Sequence, residues 1–229
     1  MTTKRGYHHG DLRNALIAAA ADLAGKSGPH AVTVRAAARA VGVTPTAAYR
    51  HFENHEQLLR AATLQSRDRM AETMLAQVNA LPEVEDPVRA ALSYLAAVAR
   101  GYIQFAVSEP GLFRTAFVVN EDTLVDGGKF SPDDSAYQLL VNGLNRLVEV
   151  GHLSPEHRAF AEITAWSSVH GFSMLVIEGP LGEWSQEMRD MAMNQMFGIL
   201  VRGLTGTPLS DQLTSNVLAD VNGERDNVQ

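Results

Sequence analysis

The chain of 229 residues contains no cysteine. It can therefore form no disulfide framework and carry out no thiolate chemistry, which fits a reducing compartment. Long apolar runs are missing as well: no stretch approaches the roughly 18 consecutive apolar residues of a membrane helix. Residues 1–10 are polar and lack the apolar core of a secretory signal. We therefore expect a soluble, cytoplasmic protein with no membrane partner.

Residue sets that carry catalysis or hold metal ions are also scarce. Ser167 and His170 lie three residues apart, but nothing like a nucleophile elbow surrounds the serine. His8 and His9 are adjacent, yet no set of carboxylates or cysteines accompanies them. We predict no catalytic residues, no metal site and no cofactor, and hence a protein that is not an enzyme.

Charge is distributed unevenly along the chain, whose net charge is −7. Residues 1–78 hold 10 basic and 6 acidic side chains, whereas residues 79–229 hold 9 basic and 20 acidic ones. Acidic surfaces serve solubility, which accounts for most of the negative charge. They also repel DNA, so this distribution would direct a nucleic acid to the basic N-terminal part.

Apolar residues recur at intervals of three to four along most of the chain, and no sustained alternation indicates strands. This periodicity predicts an all-α fold, with an N-terminal three-helix domain and a larger C-terminal helical domain. The segment 120–134 is predicted to be a loop. Predicted helices cover residues 10–26, 34–41, a third helix from 45, 55–78, 88–107, a short one from 112, 135–150, 155–178 and 186–204. Asn54 can cap the fourth of them.

The segment 33–52, TVRAAARAVGVTPTAAYRHF, has the outline of a helix-turn-helix at about 32–51. Thr33 can cap the first helix of the motif, and Gly42 can end it in a left-handed conformation. Thr44 can cap the second helix, in which Pro45 occupies the first turn. A helix-turn-helix presents the start of its second helix to base edges in the major groove. Residues predicted to face the bases are Pro45, Thr46 and Ala47.

The longer side chains of the motif are assigned to base or phosphate contacts according to their chemistry. Arg50 can make a bidentate contact with guanine or bind a phosphate. Phosphate contacts are predicted for side chains with a hydroxyl group, a ring nitrogen or a positive charge: Thr33, Arg35, Thr44, Tyr49 and His51. Phe52 is predicted to face inward, against Leu23 and Leu58.

An αα-hairpin with a glycine turn produces similar spacing, but the ending YRHF at 49–52 is more specific. Together with TVR at 33–35, GVT at 42–44 and EQLL at 56–59, it resembles the TetR family of bacterial transcriptional regulators over residues 10–63. Three further segments resemble the subgroup named for Trp, His and Gly: YHHGDLR at 7–13, EPGLFR at 109–114 and WSSVHG at 166–171. The resemblance implies a DNA-binding domain (1–63) and a ligand-binding and dimerisation domain (64–206), before a polar tail (207–229).

The resemblance also implies a mostly apolar pocket for a small-molecule effector in the second domain. Methionines there would suit a site of broad ligand tolerance. His170 can be either a core residue or a polar contact inside this pocket. Predicted ligand-binding residues are Tyr102, Phe105, Phe113, Phe117, Trp166 and His170.

One position departs from the family pattern. In the family a lysine commonly opens the fourth helix and binds a phosphate, whereas this sequence has His55. A histidine carries no permanent charge, so a DNA contact by His55 is expected to be weaker and sensitive to pH. Lys4 and Arg5 precede the first helix. They form either a clamp on the DNA or a disordered basic terminus.

A single recognition helix reads only half an operator, because successive major-groove faces lie about 34 Å apart. A homodimer is therefore predicted, with helices 155–178 and 186–204 as its interface. The predicted function is that of a repressor that binds a palindromic operator in double-stranded DNA and is released by a largely apolar effector. The alternative is a ligand-binding or scaffold protein with this fold and no operator-specific DNA binding.

Overall fold

The computed structural model describes residues 9–118 and 135–206, and all regular secondary structure in these ranges is helical. This confirms the predicted fold, an N-terminal helix-turn-helix domain followed by a larger helical domain. The predicted loop 120–134, the tail 207–229 and Lys4, Arg5 and His8 lie outside the described residues. The described α-helices are α1 (His9–Ser27), α2 (Val34–Val41), α3 (Pro45–Tyr49), α4 (His55–Asn79), α5 (Pro87–Ser108), α6 (Pro110–Ala116), α7 (Ser135–Glu149), α8 (Ala161–Ile177) and α9 (Gln186–Thr205).

Helix starts in the N-terminal region follow from side-chain caps. The Thr33 hydroxyl oxygen accepts the Ala36 N–H at 3.1 Å, and the Asn54 Oδ1 accepts the Gln57 N–H at 2.9 Å. Each bond satisfies a backbone donor that has no partner inside its helix. The predicted caps of α2 and α4 are confirmed.

The segment 155–178 is not the single helix that its apolar content predicts. A 3₁₀ turn, Pro155–Arg158, is separated from α8 by Phe160, whose φ of 59° is left-handed. An α-helix cannot continue through that conformation. Arg158 holds the turn against α7, because its guanidinium donates to Asn145 Oδ1 at 3.0 Å and pairs with Glu162. The helical run is therefore interrupted at Phe160, with the preceding turn held against α7.

Two clusters of buried side chains hold the helices together. The larger joins the helix-turn-helix to α4, α5, α6 and α8, and the smaller packs α5 against α7, α8 and α9. The helix α4 extends through the larger cluster, with Leu58 near one end and Met74 near the other. The predicted domain boundary at residue 63 falls inside α4, so a continuous helix connects the two regions.

The helix α5 lies in the middle of the larger region, packed against α4, α7 and α8. Its length and composition alone would allow it to cross a membrane. However, 56% of its most apolar window is buried inside the protein, as in the core helix of a folded domain.

Candidate nucleic-acid interface and effector cavity

The helix-turn-helix is formed by α2 and α3 around a turn at Gly42. The φ of Gly42 is 77°, the left-handed conformation predicted for the end of α2. Ala37 of α2 and Ala48 of α3 are completely buried, and their small side chains allow the two helices to pack closely. Pro45 and Thr46, at the start of α3, are exposed.

Most of the side chains predicted to contact DNA lie on the surface of this motif. Tyr49, which ends α3, is 41% exposed. The other exposed residues of the predicted set are Thr33, Arg35, Thr44, Pro45, Thr46, Arg50 and His55, whereas Ala47 and His51 are half-buried. The structure therefore leaves this set accessible to a large partner, and DNA contact by each residue stays a prediction.

The two capping threonines have a hydrogen left for a second bond. The hydroxyl oxygens of Thr33 and Thr44 accept the N–H groups of Ala36 at 3.1 Å and Ala47 at 3.3 Å. A hydroxyl group can accept one hydrogen bond and donate another. Each threonine can therefore cap its helix and still donate to a phosphate oxygen, which suits the predicted contacts.

Phe52 holds α3 in place. It is 2% exposed and belongs to the same buried cluster as Leu58, with Leu23 packed against that cluster, as predicted. The guanidinium carbon of Arg13 lies 5.2 Å from the centre of the Phe52 ring. This cation–π contact between α1 and the end of the motif was not predicted, since nothing in the spacing of the two residues indicates it.

His55 is the first residue of α4 and is exposed. Two hydrogen bonds hold the turn before it: the Gln57 N–H donates to Asn54 Oδ1 at 2.9 Å, while Gln57 Oε1 accepts the N–H of Glu53, the residue before the cap, at 3.1 Å. This cap makes α4 begin beside α3 and places His55 where the family commonly has a lysine.

A cavity of about 60 Å³, here named the central cavity, lies among α4, α5, α7, α8 and α9. Three of the predicted ligand-binding residues line it: Tyr102, Phe117 and Trp166. Other side chains of its wall include Arg67, Met70, Met74, Leu95, Tyr137 and Phe197. Apart from the methionines, nothing in the sequence marks these residues as part of a cavity, because the wall combines residues from distant segments.

The other three predicted residues, Phe105, Phe113 and His170, are not among the described residues that line the central cavity, and ligand binding by any of the six stays a prediction. Phe105 is 1% exposed and Phe113 is completely buried, both in the core. Phe105 lies one helical turn from Tyr102 on α5 and is buried in the larger core cluster. An aromatic residue on an amphipathic helix can face the core or a cavity, and helical periodicity does not distinguish the two.

His170 lies behind the cavity wall, in contact with Tyr102. Its Nδ1 is 2.8 Å from the Tyr102 hydroxyl oxygen, and this oxygen accepts the Trp166 Nε1–H at 3.0 Å. The His170 ring stacks on Phe113 at 5.4 Å between ring centres. Burial lowers the pKa of His170, which favours its neutral form and lets Nδ1 accept the Tyr102 O–H. His170 is half-buried and hydrogen-bonded at Nδ1, as in a satisfied core residue, and a role in ligand binding stays a prediction.

Polar contacts connect α4 to the end of α6. The Thr63 hydroxyl donates to the carbonyl oxygen of Thr115 at 3.1 Å, and the Arg67 Nε–H donates to that of Ala116 at 2.8 Å. At the start of α6, Gly111 lies against the last turns of α1, so close that a Cβ there would overlap the Ala24 carbonyl oxygen. The helix α6 therefore contacts both the wall of the central cavity and the DNA-binding region.

Large apolar side chains remain exposed on α8 and α9. The most exposed are Met191 at 66% and Ile199 at 54%, and the others are Ile163, Leu175 and Met188. A groove of about 870 Å³ lies between the two helices, and Gly203 and Ser168 are among its lining residues. Exposed apolar surface of this extent on adjacent helices is typical of an interface with another protein.

Two models of known protein families match the chain. Residues 16–62 match "Bacterial regulatory proteins, tetR family", and residues 95–200 match "Tetracyclin repressor-like, C-terminal domain". Together the matches span about two thirds of the chain, including the helix-turn-helix and much of the cavity wall. The chain belongs to the TetR family. No curated protein sequence matches it significantly.

Solved structures share the TetR-family fold of this chain. A protein of unknown function from Rhodococcus sp. RHA1 has a TM-score of 0.69 at 22% identity, covering 89% of this chain and 100% of that one. A TetR family transcription regulator from Marinobacter aquaeolei VT8 has a TM-score of 0.57 at 20% identity, with 82% and 94% covered. A TetR variant from Acinetobacter baumannii in complex with minocycline has a TM-score of 0.56 at 19% identity, with 87% and 97% covered. At such identities the likeness shows the fold alone.

As a member of the TetR family, the chain is a DNA-binding transcriptional regulator, which confirms the coarser part of the predicted function. Neither family model specifies the Trp-His-Gly subgroup, so that assignment stays a prediction. Within the motif at 166–171, Trp166 and His170 meet at Tyr102, and the Gly171 position borders open space.

Proposed function

We propose that this TetR-family chain is a cytoplasmic, homodimeric repressor that binds a palindromic operator and releases it when a small molecule occupies the central cavity. The observation that carries this proposal is the exposed start of α3, with the hydroxyl groups of Thr44 and Thr46 beside Tyr49 and Arg50. The family membership supports DNA binding; repression, operator symmetry and release by an effector are proposed on that basis.

In this proposal the first turn of α3 enters the major groove. Pro45, Thr46 and Ala47 are small enough to allow close approach, and the methyl group of Thr46 can contact a thymine methyl. Arg50 reads guanine or binds a phosphate. The remaining predicted contacts, by Thr33, Arg35, Thr44, Tyr49, His51 and His55, position the motif on the phosphate backbone.

A dimer is supported by the apolar side chains that α8 and α9 expose. Two copies related by a two-fold axis would bury these faces against each other as a four-helix bundle. Such a dimer presents two copies of α3, which can read the two half-sites of a palindrome at a spacing of about 34 Å.

Coupling between the two regions is supported by the position of α4. This helix starts at His55 beside α3, and further along it places Met70 and Met74 in the cavity wall. A molecule larger than the cavity of about 60 Å³ has to displace wall residues. Displacement of α4 or α6 would move the DNA-binding region, since α6 contacts α1 at Gly111. Release requires that the effector bind the two states with different affinity.

Fluorescence anisotropy with DNA from upstream of the protein's own gene tests DNA binding, beginning at low salt, where phosphate contacts are strongest. Tyr49→Ala and Arg50→Ala should each weaken binding about tenfold or more. Arg89→Ala, which removes an exposed charge at the start of α5, should leave the affinity unchanged. Sedimentation should show the same dimer for all variants, and dimer loss in Tyr49→Ala or Arg50→Ala would contradict their placement.

The second candidate is a ligand-binding or scaffold protein without operator-specific DNA binding. Its support is His55, which places a side chain without a permanent charge at the start of α4. Failure of the wild-type chain to bind any upstream fragment at low salt would favour this candidate over the repressor. Neither candidate includes a catalytic step.

A further inference from the structure

The wall of the central cavity contains one fully charged side chain among its described residues, Arg67 of α4. The other described wall residues are aliphatic, aromatic or methionine side chains, of which only Tyr102, Tyr137 and Trp166 have polar atoms. Tyr102 and Trp166 are hydrogen-bonded to each other. Among the described residues of the wall, Arg67 therefore carries the one permanent charge.

A guanidinium beside an apolar cavity selects ligands by charge. Coulombic attraction is stronger near a low-dielectric interior than in water, and so is repulsion of a cation. The planar guanidinium also matches a carboxylate in a bidentate geometry, which fixes the orientation of the ligand. The surrounding apolar wall suits a hydrocarbon or aromatic body.

Arg67 also connects the two helices that couple the cavity to the DNA-binding region. Its Nε–H donates to the Ala116 carbonyl oxygen at 2.8 Å, which ties α4 to the end of α6. An anion in the cavity would compete for this guanidinium with the groups that it contacts in the structure. Binding of the anion would thereby change a contact between α4 and α6.

We propose that the effector is an amphipathic anion with an apolar body and a single carboxylate or similar acidic head, and that its head binds Arg67. This inference rests on the proposed function of the central cavity as the effector site. It ranks cationic amphiphiles last as effectors, because an ammonium head cannot accept a hydrogen bond from the guanidinium. It also ranks a neutral molecule of the same shape below the anion.

Calorimetric titration of the full chain with probes of matched shape tests the charge preference. The probes are hexanoate, octanoate and decanoate, the corresponding alcohols, and the corresponding primary alkylammonium ions, all below their critical micelle concentrations. At least one carboxylate should bind about tenfold more tightly than its alcohol, with no binding of its ammonium counterpart. Equal affinities for a carboxylate and its alcohol, or no binding of any carboxylate, would overturn the proposal.

Variants of two arginines on α4 assign the preference to Arg67. Arg67→Gln should weaken carboxylate binding about tenfold or more and leave alcohol binding unchanged, whereas Arg67→Lys should retain most of the preference. The matched control is Arg69→Gln: Arg69 pairs at 2.9 Å with Glu109, the residue just before α6, but is not among the residues that line the cavity. Carboxylate binding that is the same in Arg67→Gln and wild type would overturn the assignment. If Arg67→Gln does not fold, the proposal is judged from two other measurements. These are the carboxylate preference of the wild type and that of Arg67→Lys, which should retain most of it.

Anisotropy with the upstream DNA separates this inference from the proposed function. DNA binding without any preference for carboxylates contradicts the anionic effector and leaves the regulator intact. The chain could instead bind carboxylates through Arg67 but bind no DNA fragment at low salt. That result contradicts the repressor and supports the proposed class of ligand. When both are correct, octanoate or its homologue lowers DNA affinity in the wild type and in Arg69→Gln, and much less in Arg67→Gln.

Discussion

The helix-turn-helix and the central cavity are built from different kinds of interaction. In the helix-turn-helix, each helix end is determined by a residue at that end: Thr33 and Thr44 cap, and Gly42 takes a left-handed conformation. The cavity has no such local determinants. Its wall combines α4, α5, α7, α8 and α9 with Phe117, so that residues far apart in the chain become neighbours only after folding.

This difference predicts how each region responds to mutation. A change in the helix-turn-helix should affect one helix end or one contact. It should lower the free energy of unfolding by about the contribution of the lost hydrogen bond. A change around the cavity should act on several helices together, because close-packed interiors transmit displacement. The following predictions examine this contrast in order of decreasing effect.

The largest effect is expected where the two regions meet. A Cβ on Gly111 would overlap backbone atoms of Ala24 and Gly25, so Gly111→Ala should lower the free energy of unfolding by about 3 kcal/mol or more. Urea denaturation measures the loss. In the control, Gly25→Ala, the added Cβ lies 3.7 Å from the Leu112 side chain, an ordinary contact, and stability should be retained or rise by up to about 1 kcal/mol. Equal losses in the two variants would refute the close α1–α6 contact.

The hydrogen bonds of Tyr102, which lines the central cavity, give the next effect. Tyr102→Phe removes the hydroxyl group that both Trp166 and His170 contact, and should cost about 1–3 kcal/mol of unfolding free energy. Thermal denaturation, with tryptophan fluorescence as the signal, measures this cost. Tyr94→Phe serves as the control, because the contact of Arg146 is with the ring of Tyr94, which phenylalanine retains. A loss in Tyr94→Phe as large as that in Tyr102→Phe would contradict the role of the Tyr102 hydroxyl.

Thr46, in the first turn of α3, separates DNA contact from stability, and Thr44, the cap before the helix, is its comparison. Thr44→Ala removes the cap and should lower the free energy of unfolding by about 1 kcal/mol. Thr46→Ala removes an exposed hydroxyl and should change stability by less than about 0.5 kcal/mol, yet weaken operator binding. Denaturation and DNA anisotropy, measured on both variants, test this separation. A stability loss in Thr46→Ala equal to that in Thr44→Ala would refute it.

The smallest effect is expected at His55. His55→Lys adds a permanent charge at the start of α4 and should raise DNA affinity a few-fold. The logarithm of the binding constant should then fall by about 0.9 more for each tenfold increase in salt concentration. The control, Gln186→Lys, adds the same charge at the first residue of α9, also just after a capping side chain, and should leave both quantities unchanged. Anisotropy at several salt concentrations measures them. An equal gain in the two variants would show a general charge effect rather than a phosphate contact by residue 55.

Helix positions were predictable from the sequence where a local signal marked the boundary. The structure gives α2 the predicted bounds, and α4 starts after the predicted Asn54 cap. The prediction failed at Phe160, because Arg158 ties the preceding turn to α7 through Asn145, a partner on another helix. Apolar periodicity records which residues avoid water. It does not record contacts between helices.

The candidate site shows the same limit at the level of side chains. Tyr102, Phe117 and Trp166 line the cavity as predicted, whereas Phe105 is equally apolar and belongs to the core. Arg67 was not predicted as a cavity residue, since an arginine on an amphipathic helix is ordinarily a surface residue. Its place in the wall depends on how α4 packs against α5 and α7.

The sequence by itself determined the all-α fold, the ends of the N-terminal helices and the membership of the TetR family. Those features depend on caps, glycine, proline and apolar spacing, all of which act within a few residues. Only the tertiary structure decided that His170 lies behind the cavity wall, that Arg67 lies in it and that Gly111 contacts α1. The physical reason is that such positions result from the packing of helices distant in the chain, and small differences in crossing and rotation determine which side of a helix meets a cavity.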